Sequence, residues 1–224
     1  MKEQGSKDSS YRTDLIVWSI VSLLLFLLIF YSLLSEGKIL VIDQWVSTHI
    51  PAVQTQVWTK KVIFLTNLNG IIASFIIFAV LTAFFWYKKW HSDLWFFLLS
   101  FGGATLLFNL IKFTIERARP DLRIIEAFGY SFPTGHSSTA MALAIALYFI
   151  FSKRVDSGLL RVLFLLAAVA WPLMIAFSRV YLNVHWFSDV LAGLALGLFW
   201  VMLLKIFYPH DIHKGKDGNR DQEN

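Results

Sequence analysis

Six long apolar segments alternate with shorter polar stretches along the chain. They lie at roughly 15–34, 70–87, 94–111, 137–151, 159–177 and 186–207. Each has about the length of a helix that crosses ~30 Å of hydrocarbon, although the fourth is short unless residues 133–136 form its first turn. The pattern predicts an all-α integral membrane protein built as one six-transmembrane-helix bundle.

The polar stretches divide the rest of the chain. Residues 1–13 and 208–224 are predicted to be cytoplasmic tails on either side of a membrane domain at 14–207. Residues 35–69 form the longest loop, in which Ile, Val and Trp alternate with polar residues at loose helical spacing. This spacing indicates helices that lie on the outer membrane interface, and a packed lid over a pocket is the alternative.

Composition supports a membrane location and excludes some chemistry. Hydrophobic residues make up 57% of the chain and the mean hydropathy is +0.60, whereas a soluble domain is typically about 45–50% apolar. Because the chain has no cysteine, disulfides, thiol catalysis and cysteine metal sites are excluded. The net charge of +5 lies mostly in the membrane-flanking loops, so no nucleic-acid partner is expected.

The distribution of basic residues predicts the orientation. Six spans put both termini on one side of the membrane, and that side carries twelve of the Lys and Arg residues against eight on the other. The positive-inside rule therefore places both termini in the cytoplasm.

The first stretch with unusual polar residues follows the third apolar segment. Lys112 and Arg119 are seven residues apart, so they share a helix face if the helix continues past the membrane edge, and Pro120 then turns the chain. Two cations on one face would form half of an anion clamp. A cluster of interfacial charges that reach out to water is the alternative.

The second stretch is "FPTGHSS" at 132–138. Thr134 offers a hydroxyl, Gly135 lets the backbone approach a ligand closely, and a helix that starts here aims free N–H groups at an anion beside His136. The same Pro and Gly residues also occur in ordinary turns.

The third stretch is "SRVYLNVHWFSD" at 178–189. Arg179 closes the fifth apolar segment, and His185 and Asp189 are four residues apart at the start of the sixth, which puts them on one helix face. A carboxylate one turn from an imidazole can orient it and stabilise its cationic form. A simple polar contact or half of a metal site are the alternatives.

In a six-span topology all three stretches meet at the same membrane face. This face of the bundle would hold three fixed cations, a helix N-terminus, two imidazoles and a carboxylate. So much charge at a membrane edge is energetically unfavourable unless an anion neutralises it. Because the planar fork of arginine matches tetrahedral oxyanions, phosphate is the natural candidate.

The motifs resemble those of the type 2 phosphatidic acid phosphatase superfamily. Its patterns K-x6-R-P, P-S-G-H and S-R-x5-H-x3-D correspond here to Lys112…Arg119-Pro120, Pro133-Thr134-Gly135-His136 and Ser178-Arg179…His185…Asp189. The one departure is Thr134 in place of serine, which keeps the hydroxyl but adds a methyl group that restricts its rotamer.

The resemblance implies a function and a role for each residue. His185 would be the nucleophile that forms a phosphohistidine, Asp189 would orient it, and His136 would protonate the leaving oxygen and then activate water. Lys112, Arg119, Thr134, Gly135 and Arg179 would bind the phosphate, with no metal or other cofactor. The expected substrates are membrane lipid (pyro)phosphates such as undecaprenyl pyrophosphate and phosphatidylglycerophosphate, hydrolysed at the extracytoplasmic face of the plasma membrane.

Three other functions fit parts of the pattern. An anion or lipid-phosphate binding or transport protein could use the same basic cluster, but it has no need of two imidazoles. A vanadium haloperoxidase shares the motifs, but its relatives are soluble. A metallohydrolase could use His136, His185 and Asp189 as ligands, and activity in EDTA would exclude it. The oligomeric state is not predicted.

Overall fold

The computed structural model describes residues 2–208, with side chains from residue 9 onward, and this part of the chain is almost entirely helical. The helices are α1 Lys2–Leu34, α2 Lys38–His49, α3 Gln56–Asn67, α4 Ile71–Tyr87, α5 His91–Ile115, α6 Gly135–Ser152, α7 Gly158–Tyr181 and α8 Phe187–Phe207, with a short 3-10 helix Ile50–Val53 before α3.

Six segments in the described residues are long and apolar enough to cross a membrane: Ser9–Leu34, Gln56–Tyr87, His91–Ile115, Gly135–Ser152, Gly158–Tyr181 and Phe187–Phe207. The prediction of an all-α, six-span membrane protein is confirmed. Helix α1 extends through the segment predicted to be the N-terminal tail. Of the predicted tail at 208–224, all residues except Tyr208 lie outside the described part.

Helix α8 lies at the centre of the bundle, where it contacts α1, α5, α6 and α7. Gly193 and Gly197, four residues apart, form the small-residue stripe that lets α6 approach closely. A Cβ atom at Gly193 would lie 2.6 Å from the carbonyl oxygen of Thr134, and one at Gly197 would lie 2.4 Å from that of Ser138. The missing side chains therefore bring the first turns of α6 and α8 together.

The segment at 35–69, which was predicted to be the loop between the first two spans, is helical as predicted, and it is docked onto the bundle. Its polar residues Asp43, Ser47 and Thr66 are buried. Ser47 and Asn183 exchange two hydrogen bonds of 2.9 Å, which fasten α2 to the turn between α7 and α8. These contacts favour the packed-lid alternative, while the exposed Val41 and Trp45 of α2 keep the apolar surface expected of an interfacial helix.

Candidate active site

The predicted site residues converge at one end of the bundle, where α5 and α7 end and α6 and α8 begin. Lys112, Arg119 and Arg179 all lie within electrostatic range of the imidazole of His185. The same three cations and His185 lie within electrostatic range of His136. The structure therefore brings the residues of all three sequence stretches together, as expected.

The position of Arg119 defines the tautomer of His185. Its Nη1 lies 3.0 Å from His185 Nε2. A guanidinium can only donate, so Nε2 must accept through its lone pair, and the proton of the neutral ring sits on Nδ1. The lone pair of Nε2 is therefore directed toward the cationic cluster, where it accepts the hydrogen bond from Arg119.

Burial and the surrounding cations keep His185 neutral. The side chain is 2% exposed, and desolvation, followed by the charges of Arg179 and Arg119, lowers its pKa well below the usual 6.5. Burial also lowers the pKa of Arg119, but a guanidinium stays charged at neutral pH. The site thus combines a neutral imidazole with fixed positive charge.

Asp189 lies on the other side of the imidazole. Its Oδ2 accepts from the backbone N–H of Trp186 at 3.0 Å and lies 3.4 Å from His185 Nδ1. The second distance is a contact between a neutral imidazole and a carboxylate that is too long for an ordinary hydrogen bond, and contacts of this kind often tighten when substrate binds. His185 precedes α8 instead of lying in its first turn, yet the predicted pairing with Asp189 is present.

Arg119 reaches the site by a different path from the one expected. Helix α5 ends at Ile115, because Glu116 adopts a left-handed conformation with φ of 51°, so Lys112 and Arg119 do not share a helix face. The guanidinium of Arg119 is instead held by four backbone carbonyls, those of Phe128, Gly129, Tyr130 and Val184, at 2.8–3.2 Å. The expectation of a continued helix was wrong, and loop carbonyls orient the fork.

The start of α6 supplies the turn predicted to bind an anion. Thr134 is the N-cap and Gly135 the first helical residue, so the first backbone N–H groups have no intrahelical partner. The N–H of Thr134 donates to the carbonyl of Asp189 at 3.2 Å, which links the first turns of α6 and α8 directly. A Cβ at Gly135 would lie 2.6 Å from the ring of Phe108, so this ring would have to move to admit a side chain here.

Four buried polar atoms at this end of the bundle have no hydrogen-bond partner in the described residues. They are Thr134 Oγ1, Ser137 Oγ, Arg179 Nε and His185 Nδ1; the one other atom of this kind is in Thr82. Buried polar groups are normally paired because leaving one unpaired costs about 1–3 kcal/mol. His185 Nδ1 faces Asp189, whereas the hydroxyls of Thr134 and Ser137 and the Nε–H of Arg179 are unpaired donors that suit a polyoxygen anion.

Several polar residues of the site were missed by reasoning from the sequence. Arg179 Nη1 donates to Thr66 at 3.0 Å, and Asn69 donates to the carbonyl of His136 at 3.0 Å. Arg117 binds Asp189 Oδ1 at 2.6 Å and Asp43 Oδ2 at 2.7 Å. The only signal for Asp43 in the sequence is that it is a lone carboxylate in an apolar stretch.

Among the residues with described side chains, no group of three or more His, Asp or Glu is placed to hold a metal ion. The charges that face His185 are those of Arg179, Arg119 and Lys112.

Comparison with known proteins gives a consistent result. A model of the PAP2 superfamily matches residues 93–212. The chain is 32% identical to phosphatidylglycerophosphatase B of Bacillus subtilis over 195 residues, which cover 84% of this chain and 93% of that protein. It is 36% identical to a putative undecaprenyl-diphosphatase of Escherichia coli over 103 residues, or 42% of this chain and 48% of that protein.

A solved structure has the same architecture. The crystal structure of a transmembrane PAP2-type phosphatidylglycerolphosphate phosphatase from Bacillus subtilis superposes with a TM-score of 0.77 at 27% sequence identity. The alignment covers 84% of this chain and 94% of that one.

Proposed function

The chain belongs to the PAP2 superfamily. From this premise we propose that it is a membrane phosphatase that hydrolyses lipid (pyro)phosphates. The reaction proceeds through a phosphohistidine intermediate, without a metal or other cofactor. The observation that carries the proposal is the hydrogen bond from Arg119 to Nε2 of His185. It directs the lone pair of a neutral imidazole toward three cations. A phosphoryl group bound there would take the place of this hydrogen bond, so that Nε2 can attack phosphorus.

The first step transfers the phosphoryl group to the enzyme. Nε2 of His185 forms a bond to phosphorus while the bond from phosphorus to the lipid oxygen breaks, and His136 gives that oxygen a proton. Lys112, Arg119 and Arg179 stabilise the charge on the phosphoryl oxygens, together with Thr134 and the first N–H groups of α6. The ring of His185 becomes cationic, and Asp189 stabilises it.

The second step regenerates the enzyme. His136, now neutral, takes a proton from water as the water oxygen attacks phosphorus, and the bond between phosphorus and Nε2 breaks. Inorganic phosphate leaves, and His185 returns to its neutral form. His136 thus acts as acid and then as base, and the fixed cations take the part that Mg²⁺ plays in kinases.

A groove between α4, α6 and α7 supports a lipid substrate. It has a volume of about 380 Å³, and its walls are mainly apolar, including Ile77, Leu143, Phe164 and Trp171. Asn69 lines the same groove and contacts the backbone of His136. A hydrocarbon chain could therefore lie between the helices while its phosphate reaches the site.

The groove gives a test of the substrate class. Ala144 lines it, so Ala144→Phe should raise the KM for a long-chain lipid phosphate and leave that for p-nitrophenyl phosphate unchanged. Ala79→Phe is the matched control, because Ala79 is on an exposed part of α4. Equal effects of the two variants on the long-chain lipid would argue against the groove as the chain site.

The decisive experiment is phosphate release by the purified protein. The substrates are undecaprenyl pyrophosphate, phosphatidylglycerophosphate, phosphatidic acid and p-nitrophenyl phosphate, each with and without EDTA. We expect release from the lipid substrates that persists in EDTA, and loss of release in His185→Ala. Binding of the lipids without release would favour a binding or transport protein, and loss of activity in EDTA would favour a metallohydrolase.

We also propose that the site faces the extracytoplasmic side of the plasma membrane. The support is the excess of Lys and Arg on the side of the termini. Because the chain has no cysteine, a single cysteine at exposed Asp121, near the site, or at exposed Asp156, at the opposite end, can be labelled selectively. In intact cells an impermeant reagent should label only Asp121→Cys, and the reverse result would invert the topology.

A further inference from the structure

Asp43 is a buried carboxylate that the reaction steps above do not use. It lies on α2, between the first two spans, and is 1% exposed. Its Oδ1 accepts from the backbone N–H of Ser188 at 2.8 Å, and its Oδ2 accepts from the Ser188 hydroxyl at 2.5 Å. Asp43 therefore caps the first turn of α8, the helix that also carries Asp189.

Arg117 joins Asp43 to the proposed catalytic pair. Its Nη2 binds Asp43 Oδ2 at 2.7 Å, and its Nη1 binds Asp189 Oδ1 at 2.6 Å and the hydroxyl of Ser188 at 2.7 Å. The guanidinium carbon also lies 5.3 Å from the ring centroid of Trp186. A planar fork is needed to hold two carboxylates at once, so lysine could not make the same contacts.

From this chain of contacts we propose that Asp43 and Arg117 are positioning residues, which orient Asp189 and set the negative charge that it presents to His185. The proposal rests on the proposed phosphohistidine mechanism. Asp43, Arg117 and Asp189 together carry one net negative charge. That charge is available to the imidazolium that forms when Nε2 of His185 takes the phosphoryl group.

Substitutions of Asp43 and of Arg117 should shift the pKa of His185 in opposite directions. Asp43→Asn leaves the trio neutral, so the imidazolium is less stabilised and the pKa of His185 falls. Arg117→Gln leaves two negative charges, so that pKa rises. The other charged or titratable groups that face His185 are Lys112 on α5, Arg119 in the loop, His136 on α6, Arg179 on α7 and Asp189 on α8. Neither substitution replaces any of them.

The test is the pH profile of phosphate release from p-nitrophenyl phosphate. Both variants should lose roughly ten- to a hundredfold in kcat, as expected when the partner of a functional carboxylate or imidazole is removed. The acid limb of kcat/KM should move to lower pH in Asp43→Asn and to higher pH in Arg117→Gln. A merely structural role would reduce both rates without opposite shifts.

Asp93→Asn is the matched control. Asp93 is also a buried carboxylate that bridges two cations, Lys153 and Arg154, but it lies at the other end of α5. Its replacement should lower the melting temperature in detergent and leave the acid limb in place. A shift of the acid limb in this control would overturn the electrostatic explanation.

A third variant keeps the proposal testable if Asp43→Asn does not fold. Arg117→Lys preserves the charge but loses the fork, so kcat should fall while the acid limb stays in place. Wild-type kcat in Arg117→Lys or in folded Asp43→Asn would overturn the inference. Absence of phosphate release from the wild-type protein would instead refute the proposed function itself.

Discussion

Gly193 is the position at which one added methyl group should separate the two helices that form the site. It lies one turn after Asp189 on α8, and it faces the carbonyl of Thr134, next to Gly135 and His136 on α6. The Cβ of Gly193→Ala would lie 2.6 Å from that oxygen and 3.1 Å from both Thr134 Cγ2 and Ser137 Cβ. The nearest atom belongs to the backbone, so the clash cannot be relieved by a change of rotamer.

The size of the effect follows from these distances. Ordinary contact requires α6 and α8 to separate by several tenths of an ångström, which stretches the 3.2 Å hydrogen bond between Thr134 and Asp189. Overpacking of this kind costs about 1–3 kcal/mol, partly offset by the roughly 0.5–1 kcal/mol gained when alanine replaces glycine in a helix. Because a displacement of ~1 Å can cost 10²-fold in rate, we expect kcat to fall about tenfold.

The assay combines steady-state phosphate release with thermal unfolding in detergent. Gly102→Ala, on α5, is the control, since no atom lies within 4 Å of its added Cβ; it should keep wild-type kcat and gain stability slightly. Wild-type kcat in Gly193→Ala would refute the reasoning that the close approach of α6 and α8 positions the site.

Three further predictions concern the proposed reaction. His185→Ala should abolish turnover of every substrate, whereas His136→Ala should lose far more on an alkyl phosphate than on p-nitrophenyl phosphate, whose leaving group needs less protonation; phosphoenzyme trapped in His185→Ala but absent in His136→Ala would reverse the two roles. Arg179→Lys should lower kcat/KM by about ten- to a thousandfold, the range for one lost transition-state donor, and near-normal kinetics would show that charge alone suffices. Neutral His185 is the reactive form, and its pKa lies well below 6.5. After correction for ionisation of the substrate, kcat/KM should therefore stay constant as the pH falls through 6.5 and decline only at lower pH. An acid limb at or above pH 6.5 would contradict this.

The bundle could be predicted because hydrophobic length alone identifies a membrane-spanning helix. The convergence of the three motif stretches followed from counting spans, which places alternate helix ends at the same face. Local signals were less reliable. Glu116 ends α5 in a left-handed conformation. A glycine or asparagine at this position would have indicated such a helix end, but a glutamate does not. The sequence therefore did not show that Arg119 lies in a loop beyond the helix.

The partners contributed by the loop could not be predicted for a different reason. Asp43 and Thr66 are ordinary polar residues of amphipathic helices, and only contacts with residues more than seventy positions away bury them. A single sequence does not show which residues of α2 and α3 contact which residues of the bundle. The interfacial and the lid interpretations are therefore both compatible with the sequence.

The docked segment also changes what can be exchanged between related proteins. The family match begins at residue 93, so a fragment with those boundaries would contain all eight predicted site residues. It would nonetheless lack Asp43, Thr66 and Asn69, which contact Arg117, Arg179 and His136, respectively. A chimaera that joins the C-terminal half of this chain to the N-terminal half of another member would leave two guanidinium groups and a helix start without these native partners. Residues 38–69 and 93–208 should therefore be inherited together. In active chimaeras, we expect the crossover points to lie outside these two segments.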